Sequence, residues 1–403
     1  MKQTWRRNLA VMVIIQFVMG LAFSMITPFL PLFVLELGVA EDQVEIWSGL
    51  VFSINFLTAA LMTPVWGYLA DRTGNRPMVI RSAAAVAVFT ALMGLSPNVV
   101  VLFILRALMG AFSGFSAAAT ALIGAQVPRD RMGFALGTVQ TGMVIGAVMG
   151  PLIGGILADS LGSYRYVFYA TGFAAFLATL LAWFFIQEAK AEAVGGPRPS
   201  LLASIAGIAG NRALLPMYVV LIMDQIGLMA IAPVLALFVA DLVGPGHANL
   251  ALLAGVAQAA TGVANAMASP LIGARADRVG HKRILLFSLF GAGILLFPQG
   301  LVGSFLALVV LRFVLGFAMG GLRPASYALV GALAPAQQRS QAFGVASSAT
   351  FIGNFIGPLL GGFISGAFGI PVMFMVTGIL LVASGIWLWF AVQEPAPKEE
   401  VRT

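Results

Sequence analysis

Few residues in this chain are equipped for chemistry, and the most informative are Asp224 and Arg323. Each interrupts a long apolar run, and neither has a charged counterpart half a chain earlier. Asp224 stands about ten residues into its run and Arg323 about twenty into its own, so at about 1.5 Å of helix per residue both reach the middle of a hydrocarbon layer. If the two were to meet, a carboxylate whose pair is made and broken could hold and release a proton. The alternative is a permanent buried pair that specifies packing. Arg106 and Arg312, in LRALMG and LRFVLG, also lie too deep to snorkel. A charge at bilayer depth costs about 2.5–3.5 kcal/mol and normally faces protein or a wet cavity. Glu36, near the outer end of the first run, is placed either to accept external protons or simply to sit at the interface. Gln16, Phe17, Phe23, Met25, Tyr218, Gln225 and Tyr327 offer apolar surface with a few polar handles, suited to a soft pocket or to core and lipid packing.

Other chemistries are poorly provided for. The chain has no cysteine, which removes disulfides and Cys-based metal sites. His247 and His281 fall in loops expected on opposite sides of a membrane and cannot share a catalytic centre. There is no G-x-x-x-x-G-K-[ST] stretch for nucleotide phosphates and no cage of oxygens for sodium. An enzyme is therefore not expected, nor a metal or cofactor. The expected energy source is a proton gradient, in which the membrane potential alone contributes about 2.3 kcal/mol per charge per 100 mV.

The elements that position these residues follow from composition. The chain is 60% hydrophobic and 9% charged, whereas soluble domains carry about 25% charged residues. Its apolar stretches run to about 20–30 residues, enough for a helix to cross a hydrocarbon core of about 30 Å. Twelve spans are expected, at 8–37, 46–70, 78–95, 99–126, 133–158, 164–187, 214–240, 250–274, 284–301, 303–333, 340–367 and 371–392. The fold class is thus an all-α polytopic membrane protein of two six-helix bundles. Lys and Arg concentrate in alternate segments, at 2–7, 72–81, 129–131, 190–212, 275–283, 339 and 398–402, while Glu36, Glu41, Asp42, Glu45, Asp159 and Asp241 mark the other side. The positive-inside rule then places both termini in the cytoplasm of a multi-pass plasma-membrane protein. The net charge of +7 is a matter of topology and implies no nucleic-acid partner. A monomer in a lipid bilayer, with a small molecule as its substrate, is the expected working unit.

The two halves are related. GYLADRTGNRP at 67–77 aligns with GARADRVGHKR at 273–283, and the two Leu-Arg stretches align at the same spacing. One residue further out of step, Pro128 meets Pro335 and GAVMGPLIGG at 146–155 meets GNFIGPLLGG at 353–362. A six-span repeat keeps its orientation, giving bundles at 1–187 and 214–403 joined by a Gly/Pro-rich, charged linker at 188–213.

These motifs resemble those of the major facilitator superfamily, and within it the twelve-helix drug:proton antiporters. The family's loop signature Gly-x-Leu-Ala-Asp-Arg-x-Gly-Arg-Lys appears here as Gly67, Leu69, Asp71, Arg72, Gly74 and Arg76, with Asn75 replacing a basic residue. Arg106 with Gly110 is similar to the family's span 4 motif. Gly146, Gly150, Pro151, Gly154 and Gly155 are similar to its span 5 antiporter motif, repeated at Gly353, Gly357, Pro358, Gly361 and Gly362. The resemblance implies a cavity lined by spans 1, 4, 7 and 10, with Asp224 and Arg323 paired inside it and a coupling or gating role for Arg106. It makes Asp71 with Arg76 a latch of the outward-facing state, copied at Asp277, Lys282 and Arg283; a solvated turn that only sets topology is the alternative. The Gly-Pro motifs imply export, while physically they bend a helix and admit a close neighbour. The expected function is proton-coupled efflux of lipophilic or amphiphilic compounds by alternating access. A transporter for a specific sugar or amino acid is the alternative, which the scarcity of polar residues on the cavity spans disfavours.

Overall fold

The computed structural model describes residues 4–392 apart from 125, 129–130, 188–213, 245–246 and 335–338. The expected linker therefore lies outside the described residues. Those described form helices and connections, with no strand among them. In chain order the spans are α1a (Thr4–Met25) and α1b (Leu30–Glu36), α2 (Val44–Thr73), α3 (Asn75–Met93), α4a (Val99–Ala111) and α4b (Phe115–Gly124), α5 (Met132–Leu161) and α6 (Tyr164–Phe185). The second half repeats them as α7a (Leu215–Ala230) and α7b (Leu235–Val243), α8 (Leu250–Val279), α9 (His281–Gln299), α10a (Phe305–Met319) and α10b (Leu322–Leu333), α11 (Arg339–Phe368) and α12 (Ile370–Ala391). Among the described residues, 11 helices are long and apolar enough to cross a membrane, and the interrupted α4 contributes the shorter apolar helix Val99–Ala111.

Helix type recurs every third span. α2, α5, α8 and α11 are each 30 residues long, about 45 Å of helix against a core of about 30 Å. α3, α6, α9 and α12 are shorter and pair at the periphery, α3 with α6 and α9 with α12. Their outer faces expose Phe173, Phe184, Phe287, Ile294, Ile379 and Phe390, the surface a lipid tail would cover. Spans 1, 4, 7 and 10 are the broken ones. They were expected as continuous helices, but α1 is interrupted at 26–29, α4 at 112–114, α7 at 231–234 and α10 at 320–321. Pro28 and Pro233 stand in two of the gaps; Gly114, with φ +108°, stands in a third. The breaks in α1 and α7 share a repeat, ITPFLPLFVLEL against IAPVLALFVADL.

The two loop signatures are helical almost throughout. α2 and α3 are separated by Gly74 alone, at φ +93°, and α8 and α9 by Gly280 alone, at φ +105°. An L side chain is strained at such φ values, so glycine is what permits each reversal.

Packing within and between bundles rests on α5 and α11. Along α5, Gly142, Gly146, Gly150 and Gly154 lie against α1; a Cβ at Gly146 would strike the Phe17 carbonyl, and one at Gly154 the Met25 carbonyl. Along α11, Gly353, Gly357 and Gly361 lie against α7a in the same manner. The adjoining Gly155 and Gly362 face the other bundle, against Ala251 of α8 and Glu45 of α2. Bilayer tails compete with apolar side chains for contact, so helix association depends on such close backbone approach.

Gly146→Val should lower the thermal unfolding midpoint of the detergent-solubilised protein, since overpacking costs about 1–3 kcal/mol. Gly137→Ala is the control: an added Cβ there meets nothing within 4 Å, and alanine favours helix by about 0.5–1 kcal/mol. Equal behaviour of the two variants would show that the α1–α5 seam does not depend on glycine.

Candidate functional site

A cavity of about 640 Å³ lies between the bundles. Its wall is largely aromatic and thioether-rich, with Phe23, Phe52, Phe56, Phe115 and Phe351 beside Met143, Met229 and Met319. Polar lining comes from Ser24, Thr27, Asn55, Thr63, Ser113, Ser116, Gln258 and Thr261, and the charges from Arg106 and Arg312. No carboxylate lines it among the described residues.

The positions follow the repeat. Arg106 and Arg312 are 8% and 4% exposed, on α4a and α10a. Gly110 and Gly316, one turn further on, let these helices lie against the Asn55 and Thr261 carbonyls of α2 and α8. Neither arginine has an ion pair among the described residues; their nearest aromatic rings are Phe52 at 5.6 Å and Phe374 at 5.7 Å. The break in α4 forms part of the wall through Ser113 and Gly114. Trp66 donates its indole N–H to the Ala111 carbonyl at 2.6 Å, and Arg81 donates to the Ser113 carbonyl at 3.0 Å. Arg81 also lies 3.4 Å from the Trp66 ring centroid. Two carbonyls released by the missing helical turn thus regain donors, as burial away from water requires.

The expected Asp224–Arg323 pair is not formed. Asp224 is 4% exposed on α7a with one carboxylate oxygen lacking a hydrogen bond, whereas Arg323 is exposed on α10b and no ion pair joins them. Gly320 and Gly321 keep right-handed helical backbone angles, and Arg323, although not in ion-pair contact, is close enough for its charge to act on Asp224. Asp224 nevertheless stands one turn before Gly227 and Leu228, which line the cavity. Glu36 is engaged at the far end, away from the cavity, with Arg165 at 3.6 Å.

Of the expected pocket residues, Phe23 lines the cavity and the others are placed elsewhere. Gln16 is fully buried with neither amide atom hydrogen bonded. Phe17 and Met25 supply backbone to the α1–α5 seam. Tyr218 donates to the Ala342 carbonyl at 3.3 Å, Gln225 donates to Asn354 at 2.6 Å, and Tyr327 stacks on Phe343. Helical phase explains the misses, because the α7 residues face α11. The cavity also takes in Phe52, Asn55, Gln258 and Thr261, which occupy two matched repeat positions on α2 and α8.

The side chains of Asp71 and Asp277 lie outside the described residues. Their neighbours are tied within each bundle: Arg76 donates to the Trp183 carbonyl at 2.6 Å and Lys282 to the Trp389 carbonyl at 2.9 Å. Arg72 lies 4.4 Å from the Tyr68 ring centroid. Gly67 has open space around it. The bundles meet at the opposite end. Gly49 and Gly255 lie against the carbonyls of Pro358 and Pro151, so each Gly-Pro motif sits on a cross-bundle seam. Asp159 accepts from the backbone N–H groups of Ala251 and Leu252, at 3.2 and 2.7 Å. This cap reaches from α5 to the N-terminus of α8 in the other bundle, where exposed amides and the helix dipole favour an anion. The cavity is closed at this far end and opens toward the end where α1 begins and α12 finishes.

Two pseudo-symmetric bundles around a central cavity, closed at one end, define the architecture of a membrane transporter. The chain belongs to the Major Facilitator Superfamily, whose model matches residues 12–257 and 217–403. It is 40% identical over 390 residues to the multidrug resistance protein MdtG of Salmonella arizonae, covering 96% of each chain. To that of Yersinia enterocolitica it is 39% identical over 399 residues, covering 99% of this chain and 96% of the relative. Its fold is similar to that of a bacterial homologue of the human lysosomal transporter Spinster in an inward-facing, unoccupied conformation, with a TM-score of 0.82, 16% identity and 97% coverage of both chains. A mutant of the nucleoside transporter NupG gives a TM-score of 0.79 at 14% identity, covering 96% of this chain and 100% of that one.

Asp159→Ala should loosen the far-end closure. Because the native chain contains no cysteine, a single Ala251→Cys, at a position fully buried on the seam, reports on it. Hydrogen bonds to a charged acceptor contribute about 1.5–3 kcal/mol, so labelling by a membrane-impermeant maleimide should quicken about tenfold or more without the carboxylate. Unchanged labelling would show that the cap does not hold the seam.

Proposed function

We propose that the protein exports lipophilic and amphiphilic drugs from the cytoplasm in exchange for protons. The observation that carries this reading is the cavity wall of phenylalanine and methionine with few polar handles. Such a surface is soft and adapts to bodies of different shape, whereas a single polar metabolite calls for a denser set of directed hydrogen bonds. The names of its relatives, multidrug resistance proteins at about 40% identity over nearly the full length, support the same reading. Basic residues concentrated at the end bearing α1's start and α12's finish support a cytoplasmic location for that end. The cavity then faces the cytoplasm, as loading of an exporter requires.

Asp224 is the residue proposed to carry the coupled proton. It is the one acidic side chain more than nine-tenths buried among the described residues, and it lies one turn from the cavity wall. A carboxyl so enclosed is best accommodated neutral when the surrounding helices are closed on it, and ionised when rocking of the bundles admits water. Glu36, paired with Arg165, belongs to the closed end and is assigned no part in the exchange.

In inverted vesicles carrying an imposed proton gradient, the native protein should concentrate members of a panel of dyes and antibiotics. Asp224→Asn should reduce gradient-driven uptake to that of vesicles lacking the protein, with normal insertion shown by immunoblot, while Glu36→Gln should retain it. Full uptake by Asp224→Asn would remove the residue from the coupling mechanism, and uptake that follows a sodium gradient instead would remove protons.

A further inference from the structure

The half-helix α4b is fastened at both ends by side chains that have no equivalent in the second bundle. Where it departs from α4a, Trp66 of α2 and Arg81 of α3 donate to the Ala111 and Ser113 carbonyls, and the guanidinium carbon lies 3.4 Å from the indole centroid. Phe112, between those two carbonyls, brings its ring to 5.6 Å from that of Trp66. Where α4b ends, the fully buried Asn8 of α1a donates to the Gln126 side chain at 2.6 Å and to the Gln187 carbonyl at 2.7 Å. Gln126 donates to the same carbonyl at 3.0 Å, and the Gln187 N–H donates to the Asn8 side chain at 3.3 Å. These bonds tie the start of α1a, the end of α4b and the end of α6 into one network. A satisfied polar network admits one arrangement of its members, because each displacement leaves a donor or acceptor unpaired in a low dielectric.

The second bundle keeps the half-helix and drops the fastenings. Trp66 and Arg81 correspond to Ile272 and Phe287, and, counted from the Pro28–Pro233 and Pro128–Pro335 matches, Asn8 and Gln126 correspond to Ala213 and Leu333. None of these four side chains carries a donor or an acceptor. α10b continues from α10a through Gly320 and Gly321 at helical angles and packs on α9 and α11, with Tyr327 stacked on Phe343. Apolar contact is non-directional, so a helix held by it can tilt or slide where a hydrogen-bonded one is fixed. We propose that Trp66, Arg81, Asn8 and Gln126 are positioning residues that hold α4b as a fixed strut of the first bundle, and that α10b, lacking both clasps, is the half-helix that yields when the bundles rock. Ser113, Gly114, Phe115 and Ser116 line the cavity at the fastened corner, so the first bundle presents a wall of constant shape. The inference rests on the rocking reading for when α10b moves; its freedom within its own bundle is measured without substrate or gradient.

Because the native chain contains no cysteine, matched nitroxide pairs can be placed in the two halves. Leu61→Cys with Ala121→Cys spans α2 to α4b, and Met267→Cys with Ala328→Cys spans α8 to α10b; all four positions are exposed or half-buried. On the full chain in nanodiscs, double electron–electron resonance should give a single narrow distance distribution for the first pair and one about twofold or more wider for the second. Arg81→Met and Gln126→Leu should each widen the first pair about twofold and leave the second unchanged, while Arg81→Lys, which keeps a donor for the Ser113 carbonyl, should stay narrow. The second pair separates loss of a clasp from a general loosening of the fold. Equal widths in the native protein, no widening by either variant, or equal widening of both pairs would overturn the proposal. Should Arg81→Met not be recovered folded, Trp66→Phe decides: it keeps an aromatic ring, removes the N–H, and should widen the first pair alone. A failed distance result leaves the export reading intact, and a silent transport panel leaves the distance result standing.

Discussion

Close backbone approach along α5 and α11 is the constraint on which the rest of the structure depends. Each of these helices carries two glycine faces. One, at Gly146, Gly150 and Gly154 or at Gly353, Gly357 and Gly361, fixes the helix within its own bundle over several turns. The other, at Gly155 or Gly362, meets the opposite bundle, in a seam that on α5 runs from Val148, against Gly262, to Asp159, against the start of α8. Seams of the second kind can part while the packing within each bundle stays intact. The prolines belong to this arrangement: the Pro151 and Pro358 carbonyls face Gly255 and Gly49 across the seams. The motif is thus used for contact on two sides, with its own bundle through Gly146, Gly150 and Gly154 and with the opposite bundle through Gly155 and Pro151.

The interrupted helices answer a different need. A cavity inside a membrane must expose some polar groups, and a continuous helix hides its own. Breaking spans 1, 4 and 7 frees backbone groups where water or substrate can reach them, the circumstance in which irregular backbone is tolerated at bilayer depth. The break in α4 shows how the protein limits the cost. Trp66 and Arg81 cover the Ala111 and Ser113 carbonyls from behind the wall, leaving Gly114 at the surface of the cavity. The repeat positions of Trp66 and Arg81 in the second half are Ile272 and Phe287, so this support belongs to the first bundle alone.

Much of this organisation was legible in the sequence because membrane helices leave a one-dimensional trace. Apolar run length located the spans, and repeated Gly-Pro and Leu-Arg stretches related the halves. What escaped was orientation. Asp224 and Arg323 both read as charges within apolar runs, but whether two such charges touch depends on side-chain reach and helical phase, and here no ion pair joins them. The pocket candidates Gln225 and Tyr218 lie on the correct helix and face α11, a matter of helical phase that composition does not carry in spans apolar on every side. The most useful overlooked trace was the second copy of the first span's ending, where Pro28 matches Pro233 and Glu36 matches Asp241. A proline repeated inside two otherwise continuous runs marks an interruption needed in both halves.

The division between what is duplicated and what is not bears on how an exporter of this build can exchange its cargo for a proton. The duplicated arginines face one another's bundle across the cavity, so any ligand they share is held by the seam that must move. Asp224 has no counterpart, since Met19 occupies the matching position of α1, and it lies behind the wall and not in it. Were the acid in the wall beside the arginines, it would form a salt bridge with them and would not be free to gain and lose a proton. Set one turn back on α7a, it leaves the arginines without a salt bridge and stands on a helix whose Gly227 and Leu228 line the cavity. Under the exchange proposed above, cargo and proton occupy separate sites joined by one movable element, and exchange requires only that α7a be differently enclosed in the two states.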